Sequence, residues 1–322
     1  HRDLHLSLRR QRQMCIRDSE FMSYGESQQL EEKANSWTQN STTSLRWWDG
    51  RTSDMGSSFL FLSYLSDKLG GSTGIQQLIS NPSLGGNGIE NLARNPGPGS
   101  TPIGLTMSEI FANFSAAITL DSDQGAFGFS EIDLLDDCSS GGFCRGVASA
   151  ENNDWTEAWQ SSGHSLEGWG LKSFRFSGGD GYPLSILVQP DRFGFEGAVL
   201  SKEDSTGTWS MDRLRIDSED GRGTGLVNGF GNLTSEVWLL VWYNSLVDDC
   251  DFDFANCGVL SGGNYPTGSF SVSASQVTDP AELTIETVEG FDRDGDLLDD
   301  SCLLYTSPSP RDRTRSRMPS SA

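Results

Sequence analysis

The hydrophobic period changes along this chain, and that change limits the folds open to it more than any other feature. From Glu20 to about Leu120 apolar residues recur at helical spacing. Ser57 to Leu69 carries Phe59, Leu62, Leu65 and Leu69 on one stripe, widened by Leu60, Phe61 and Tyr64, and Gly70-Gly71 follows as a stop. Thr106-Met-Ser-Glu109 is a capping-box pattern that opens a second helix, with Ile110, Phe111, Phe114 and Ile118 on one face. Between them, Gly85 to Gly104 reads as a Gly/Pro/Asn-rich loop. Beyond residue 168 the period is two. Phe174 and Phe176, Leu184 to Val188, Leu214 and Ile216, Val237 to Tyr243, Phe270 to Ala274, and Leu283 and Ile285 read as short strands between Gly/Asn/Asp turns. Strands so spaced, with no helices between them, predict an antiparallel β-sandwich of jelly-roll type. Val237-Trp-Leu-Leu-Val-Trp-Tyr243, apolar on both faces, is its expected central strand. The fold class is therefore α+β. A helical part spans 20–120, an acidic connector 121–168 and a sandwich 169–289, with an Asp-rich repeat at 290–301.

Neither end reads as native protein. Arg9 to Ser19, RRQRQMCIRDS, back-translates without a break into a transposase-type sequencing adapter, and His1 to His5 fits the primer that precedes it. Cys302 to Asp312, CLLYTSPSPRD, fits the opposite adapter, and Ser316 to Ala322 fits its distal primer. Residues 1–19 and 302–322 are thus expected to be adapter-derived, and the remainder to be an internal piece of a longer protein.

With 23 Lys+Arg against 45 Asp+Glu, the formal charge of −22 argues against a basic nucleic-acid binder. The longest apolar run, Val237 to Tyr243, is far below the roughly 18 residues of a membrane span. Within 20–301 the cysteines fall in two local pairs, Cys138 with Cys144 and Cys250 with Cys257, in polar loops. Disulfides of an exported, extracellular or cell-surface protein are the favoured reading. A thiolate metal site is the alternative, although CxxC knuckles are missing and His164 is the one histidine within 20–301.

The search for catalytic constellations finds no HExxH, no GxGxxG and no GxxxxGK[ST]. Gly163-His-Ser-Leu-Glu167 has Glu where a nucleophile elbow needs Gly, and His164 is beside Ser165 with no second histidine to serve it. The plain expectation for His164 is a loop residue at the sandwich edge. Trp47-Trp48 and Trp155/Trp159 are read as apolar anchors before sugar platforms. One acidic cluster has a spacing with a mechanism, Asp292-Arg-Asp294-Gly-Asp296-Leu-Leu-Asp299-Asp300. Carboxylates alternating along a tight loop converge on a hard cation, so Asp292, Asp294, Asp296 and Asp300 are the candidate calcium ligands. The loop departs from the EF-hand pattern, with Leu297 where that pattern has Gly. A solvated acidic linker is the competing reading.

The helical part carries a resemblance. Asp54-Met-Gly-Ser-Ser-Phe-Leu-Phe-Leu-Ser-Tyr-Leu-Ser-Asp-Lys-Leu-Gly-Gly71, then Ile75 to Asn81, then Ser108-Glu-Ile-Phe-Ala-Asn-Phe-Ser115, resemble the downstream helices of secreted zinc metallopeptidases of the hyicolysin and immune-inhibitor-A-like type. Met55 replaces the family's Tyr. The resemblance implies helices that pack behind a zinc site built upstream from HExxH and a further Glu, where metal-activated water cleaves a protein or peptide substrate. Glu20-Phe-Met-Ser-Tyr24 resembles the continuation just past that Glu, so Glu20 itself is not assigned to zinc. On this reading zinc belongs to the parent, its ligands are absent here, and the chain alone is inactive. The alternative is a non-enzymatic, calcium-binding cell-surface or adhesive β-sandwich protein. A bare apolar face on the helical part favours the peptidase, and a closed one favours the adhesive module.

Overall fold

The computed structural model describes residues 28–45, 51–80, 85–96, 98–122, 125–139, 141–244 and 267–278. Within them the helices are α1 (Gln28–Thr38), α2 (Thr52–Lys68), α3 (Ser72–Ser80), α4 (Gly85–Arg94) and α5 (Met107–Leu120). Helix α2 stops where the glycines stand, with Gly70 at φ 93° and Gly71 at φ 68°. Gly56 allows α1 to cross α2 closely, since a Cβ there would lie 1.9 Å from the Lys33 carbonyl oxygen. Helix α5 has its capping box: the Glu109 N–H donates to Thr106 Oγ1 at 3.2 Å, and the Thr106 N–H donates to the Glu109 carboxylate at 2.9 Å. Where a loop was expected after Gly85, α4 forms instead. Three glycines in its first four residues hid a face whose Leu92 is buried in the helical core.

Two five-stranded sheets follow. The inner sheet has the order β3 (Ala150–Asn152), β5 (Leu171–Ser177), β11 (Thr234–Tyr243), β7 (Phe195–Glu203), β8 (Trp209–Arg213). The outer sheet has the order β4 (Trp159–Glu167), β12 (Thr267–Gln276), β6 (Leu184–Pro190), β10 (Gly223–Val227), β9 (Arg215–Ile216). All these pairings are antiparallel except β3 with β5. A short parallel pair, β1 (Leu134–Leu135) and β2 (Phe143–Cys144), lies apart from both sheets. Leu283 and Ile285 lie outside the described residues. The fold is α+β with a β-sandwich, as expected.

Strands β3 and β4 arise before residue 169, within the stretch expected as an acidic connector. The inward positions of β4 are Trp159, Ser161, His164 and Leu166, facing Ala274, Val272, Phe270 and Gly268 of β12, and the register slips between Ser161 and His164. A bulge and two polar residues on the buried row break the period of two that sequence reading depends on.

Helices and sandwich are also not consecutive lobes. Alternate residues of β11 serve two cores: Val237, Leu239, Val241 and Tyr243 face the outer sheet, while Trp238, Leu240 and Trp242 face the helices. Ala198 and Leu200 of β7 and Leu171 of β5 join the helix-facing set. The inner sheet is therefore buried on both sides, which explains the doubly apolar central strand. Leu240→Ala empties part of the α-to-sheet core and is expected to lower unfolding free energy by about 2–5 kcal/mol in urea titration. Gln189→Ala, on the exposed face of the outer sheet, should change it by less than about 0.5 kcal/mol.

Candidate functional site

The sandwich closes on the helical layer at the crossover from β4 to β5. Residues 41–44 run beside it: the Glu167 N–H donates to the Thr42 carbonyl at 3.0 Å and the Leu171 N–H to the Ser41 carbonyl at 2.7 Å. Ser44 Oγ donates to the Gly168 carbonyl at 2.5 Å. A Cβ on Gly170 would stand 2.4 Å from the Thr42 carbonyl oxygen, so the approach needs glycine. Arg51 Nη1 and Nη2 grip the Glu167 carboxylate at 2.8 and 2.9 Å, and Arg51 Nε holds Asp54 at 2.9 Å. Hydrogen bonding to Glu167 raises the Arg51 guanidinium further above its already high range. Trp169, left-handed at φ 61°, packs edge-on against Phe111 at 5.3 Å.

Cys138 and Cys144 form a disulfide. Helix α1 clamps the loop it closes, since the Cys144 N–H donates to Asn35 Oδ1 at 2.7 Å and Asn35 Nδ2 to the Gly142 carbonyl at 2.9 Å. The thiolate-metal alternative thereby falls away for this pair. Cys250, Cys257, Trp47, Trp48, Glu20 and the calcium candidates Asp292, Asp294, Asp296 and Asp300 lie outside the described residues. Trp155 and Trp159 are anchors: Trp155 Nε1 donates to the Ser177 carbonyl at 2.7 Å, its ring meets Phe230 at 5.3 Å, and Trp159 meets Phe176 at 5.2 Å.

Among the described residues no three or more His, Cys, Asp or Glu come together as metal ligands. The described donor set does not fit a zinc centre, since His164 is engaged elsewhere. Its Nε2 is 2.8 Å from Ser161 Oγ, and its ring meets Phe174 at 5.0 Å and Phe270 at 5.3 Å. Ser165, the residue beside it in sequence, is exposed and pairs with Ser269 instead. His164 is therefore an inward strand residue rather than a loop residue. On the facing strand Lys172 shares the inward row with Phe174 and Phe176. Sequence reading passed over Ser161 and Lys172, although polar residues on a buried row are the usual signal.

Burial first, and the Lys172 charge second, hold the His164 imidazole below its ordinary value of 6.5. Through the window just below 6.5 the unfolded chain binds more protons than the folded one, so the native state loses stability as pH falls. Urea denaturation of wild type and His164→Gln should show the wild type losing ground to the variant between about pH 7 and about pH 5. A difference independent of pH would contradict this placement.

No family model matches the chain, and no curated protein matches it. Solved structures do. The pre-peptidase C-terminal domain of a collagenase from Bacillus anthracis matches with 12% identity and TM-score 0.25, over 40% of this chain and 97% of that one. A periplasmic inhibitor of g-type lysozyme from Salmonella Typhimurium matches with 13% identity and TM-score 0.22, over 39% of this chain and 96% of that one. The CBM22-1-GH10 modules of a Clostridium thermocellum endo-1,4-beta-D-xylanase match with 10% identity and TM-score 0.20, over 31% of this chain and 17% of that one. Among the described residues no helix is long and apolar enough to cross a membrane.

Proposed function

We propose that the chain is the downstream, non-catalytic portion of an exported zinc endopeptidase: a helical wall standing behind the parent's metal site, joined to an accessory β-sandwich. The observation that carries this reading is the convergence of the two segments that resemble that family. Phe61 and Tyr64 of α2 meet Phe114 of α5 at 5.1 and 5.6 Å, and Phe111 of α5 rests on Trp242 of β11 at 6.1 Å. A helix pair braced on a sheet in this way is rigid enough to support a metal site built by other residues. The Cys138–Cys144 disulfide supports export to an oxidising compartment. No residue of this chain is given a catalytic role, and the parent's substrate is taken as protein or peptide.

A second reading, the non-enzymatic adhesive module, has its own observation. Among the described helical residues the large apolar side chains are buried or partly buried and none is exposed, the inner sheet supplying part of the cover. Recovering the coding sequence upstream of Glu20 separates the two. The peptidase reading expects an in-frame HExxH followed by a Glu-containing string that runs into Glu20-Phe-Met-Ser. Repeats or further sandwich modules there would replace it with the adhesive one. The chain by itself is expected to give no chelator-sensitive cleavage of casein.

Either reading accommodates calcium at Asp292, Asp294, Asp296 and Asp300. Isothermal titration should find one weak site, on the order of 10⁻⁴ to 10⁻³ M as in extracellular modules, that Asp294→Asn with Asp296→Asn abolishes. A wild-type chain that gives no saturable calcium heat removes the site.

A further inference from the structure

Three triplets of the kind that accepts N-linked sugar, Asn-x-Ser/Thr without Pro between, occur in the chain: Asn40-Ser41-Thr42, Asn113-Phe114-Ser115 and Asn232-Leu233-Thr234. So short a pattern recurs by chance and decides nothing alone. The fold separates the three.

Asn113 is closed to modification. It lies inside α5, and its Nδ2 donates to the Ile103 carbonyl at 3.1 Å and to the Glu109 carbonyl at 3.0 Å. Those bonds use both protons of the amide, so a sugar on that nitrogen breaks one of them. The Ser115 hydroxyl that completes the triplet is fully buried.

The other two are open. Asn40 is exposed in the turn after α1, and the Thr42 hydroxyl donates to Asn40 Oδ1 at 3.0 Å. That bond brings the acceptor amide and the triplet's hydroxyl together, and it leaves the amide nitrogen outside the contact. Asn232 is exposed in the connection from β10 to β11. Its own N–H donates to the Gly229 carbonyl at 3.0 Å and the Leu233 N–H to the same carbonyl at 2.7 Å, so the turn is held by backbone bonds and not by the Asn232 side chain. Apolar surface flanks it. Leu233 is 63% exposed, more than any other large apolar residue described, and Tyr182 is 45% exposed. The Tyr182 loop abuts the turn, since a Cβ on Gly181 would stand 3.3 Å from Asn232 Cβ. The C–H face of a sugar ring on Asn232 covers surface of this kind.

We propose that Asn40 and Asn232 each carry an N-linked oligosaccharide and that Asn113 does not. In the transfer, the side-chain amide nitrogen attacks the anomeric carbon of an oligosaccharide held on a polyprenyl diphosphate. The carbon–nitrogen bond forms as the bond from that carbon to the diphosphate oxygen breaks. One amide proton passes to a base of the transferase, and polyprenyl diphosphate leaves. The proposal rests on export of the chain, which the Cys138–Cys144 disulfide supports, and needs nothing from the peptidase reading.

Secretion of the full chain from yeast behind a heterologous signal peptide tests this. Peptide-N-glycosidase acting in heavy-oxygen water turns each occupied Asn into a labelled Asp, so peptide mass mapping reads every position without a variant. Label is expected at Asn40 and Asn232 and not at Asn113. Asn40→Gln and Asn232→Gln should each remove one glycan from the intact mass, and Thr42→Val, which keeps Asn40 but loses the hydroxyl, should remove the same glycan as Asn40→Gln. An unlabelled Asn40 or Asn232, or label at Asn113 in the folded chain, would overturn the proposal. Failure of labelling with the Cys138–Cys144 bridge formed leaves the export reading standing, whereas a secreted chain with that bridge open counts against export itself.

Discussion

Glu167 spreads its carboxylate across the Arg51 guanidinium at the point where the chain leaves one sheet for the other, and the remaining architecture is referred to that junction. Arg51 precedes the first residue of α2 and Glu167 is the last residue of β4, so the paired side chains fix the central helix to the sandwich edge. The backbone bonds of residues 41–44 to 167–171 surround the ion pair and keep the crossover in register. A bidentate, partly shielded pair within a hydrogen-bonded frame contributes more orientation than net energy. Apolar burial supplies the energy: Trp238, Leu240 and Trp242 of β11 close the helical core from below.

That arrangement makes β11 the shared wall of two compartments. Its odd-numbered residues belong to the sandwich interior and its even-numbered ones to the α layer. A chain built this way cannot loosen its helices without uncovering the inner sheet. Beside the end of that wall, where β4 faces β5, the interior turns polar, and there Ser161, His164 and Lys172 stand where a sandwich would ordinarily place aliphatic groups.

Much of this was legible before the structure, for physical reasons that differ by element. The seven-residue apolar strand was readable because burial on both faces removes the polar alternation. Helix α5 was readable because a capping box is a local device whose atoms are all near in sequence. The β4 strand was not, because its bulge and its inward Ser161 and His164 imitate a loop. The α4 helix was not, because its glycines outweigh, in sequence, an apolar face that only tertiary packing rewards. The Arg51–Glu167 pair, over a hundred residues apart in the chain, has no local signal at all. The tyrosine and phenylalanines of the resembling helices gave the functional reading its direction without supplying a ligand or a nucleophile.

Native-state hydrogen exchange across α2, α5 and β11 is the most direct test of the shared wall. If the inner sheet and the helical layer open together, the slowest amides of all three elements will exchange with one common free energy that falls equally with added denaturant. Helix amides that exchange through a separate opening, several kcal/mol cheaper than that of β11, would show that the α layer is an appendage and contradict the account.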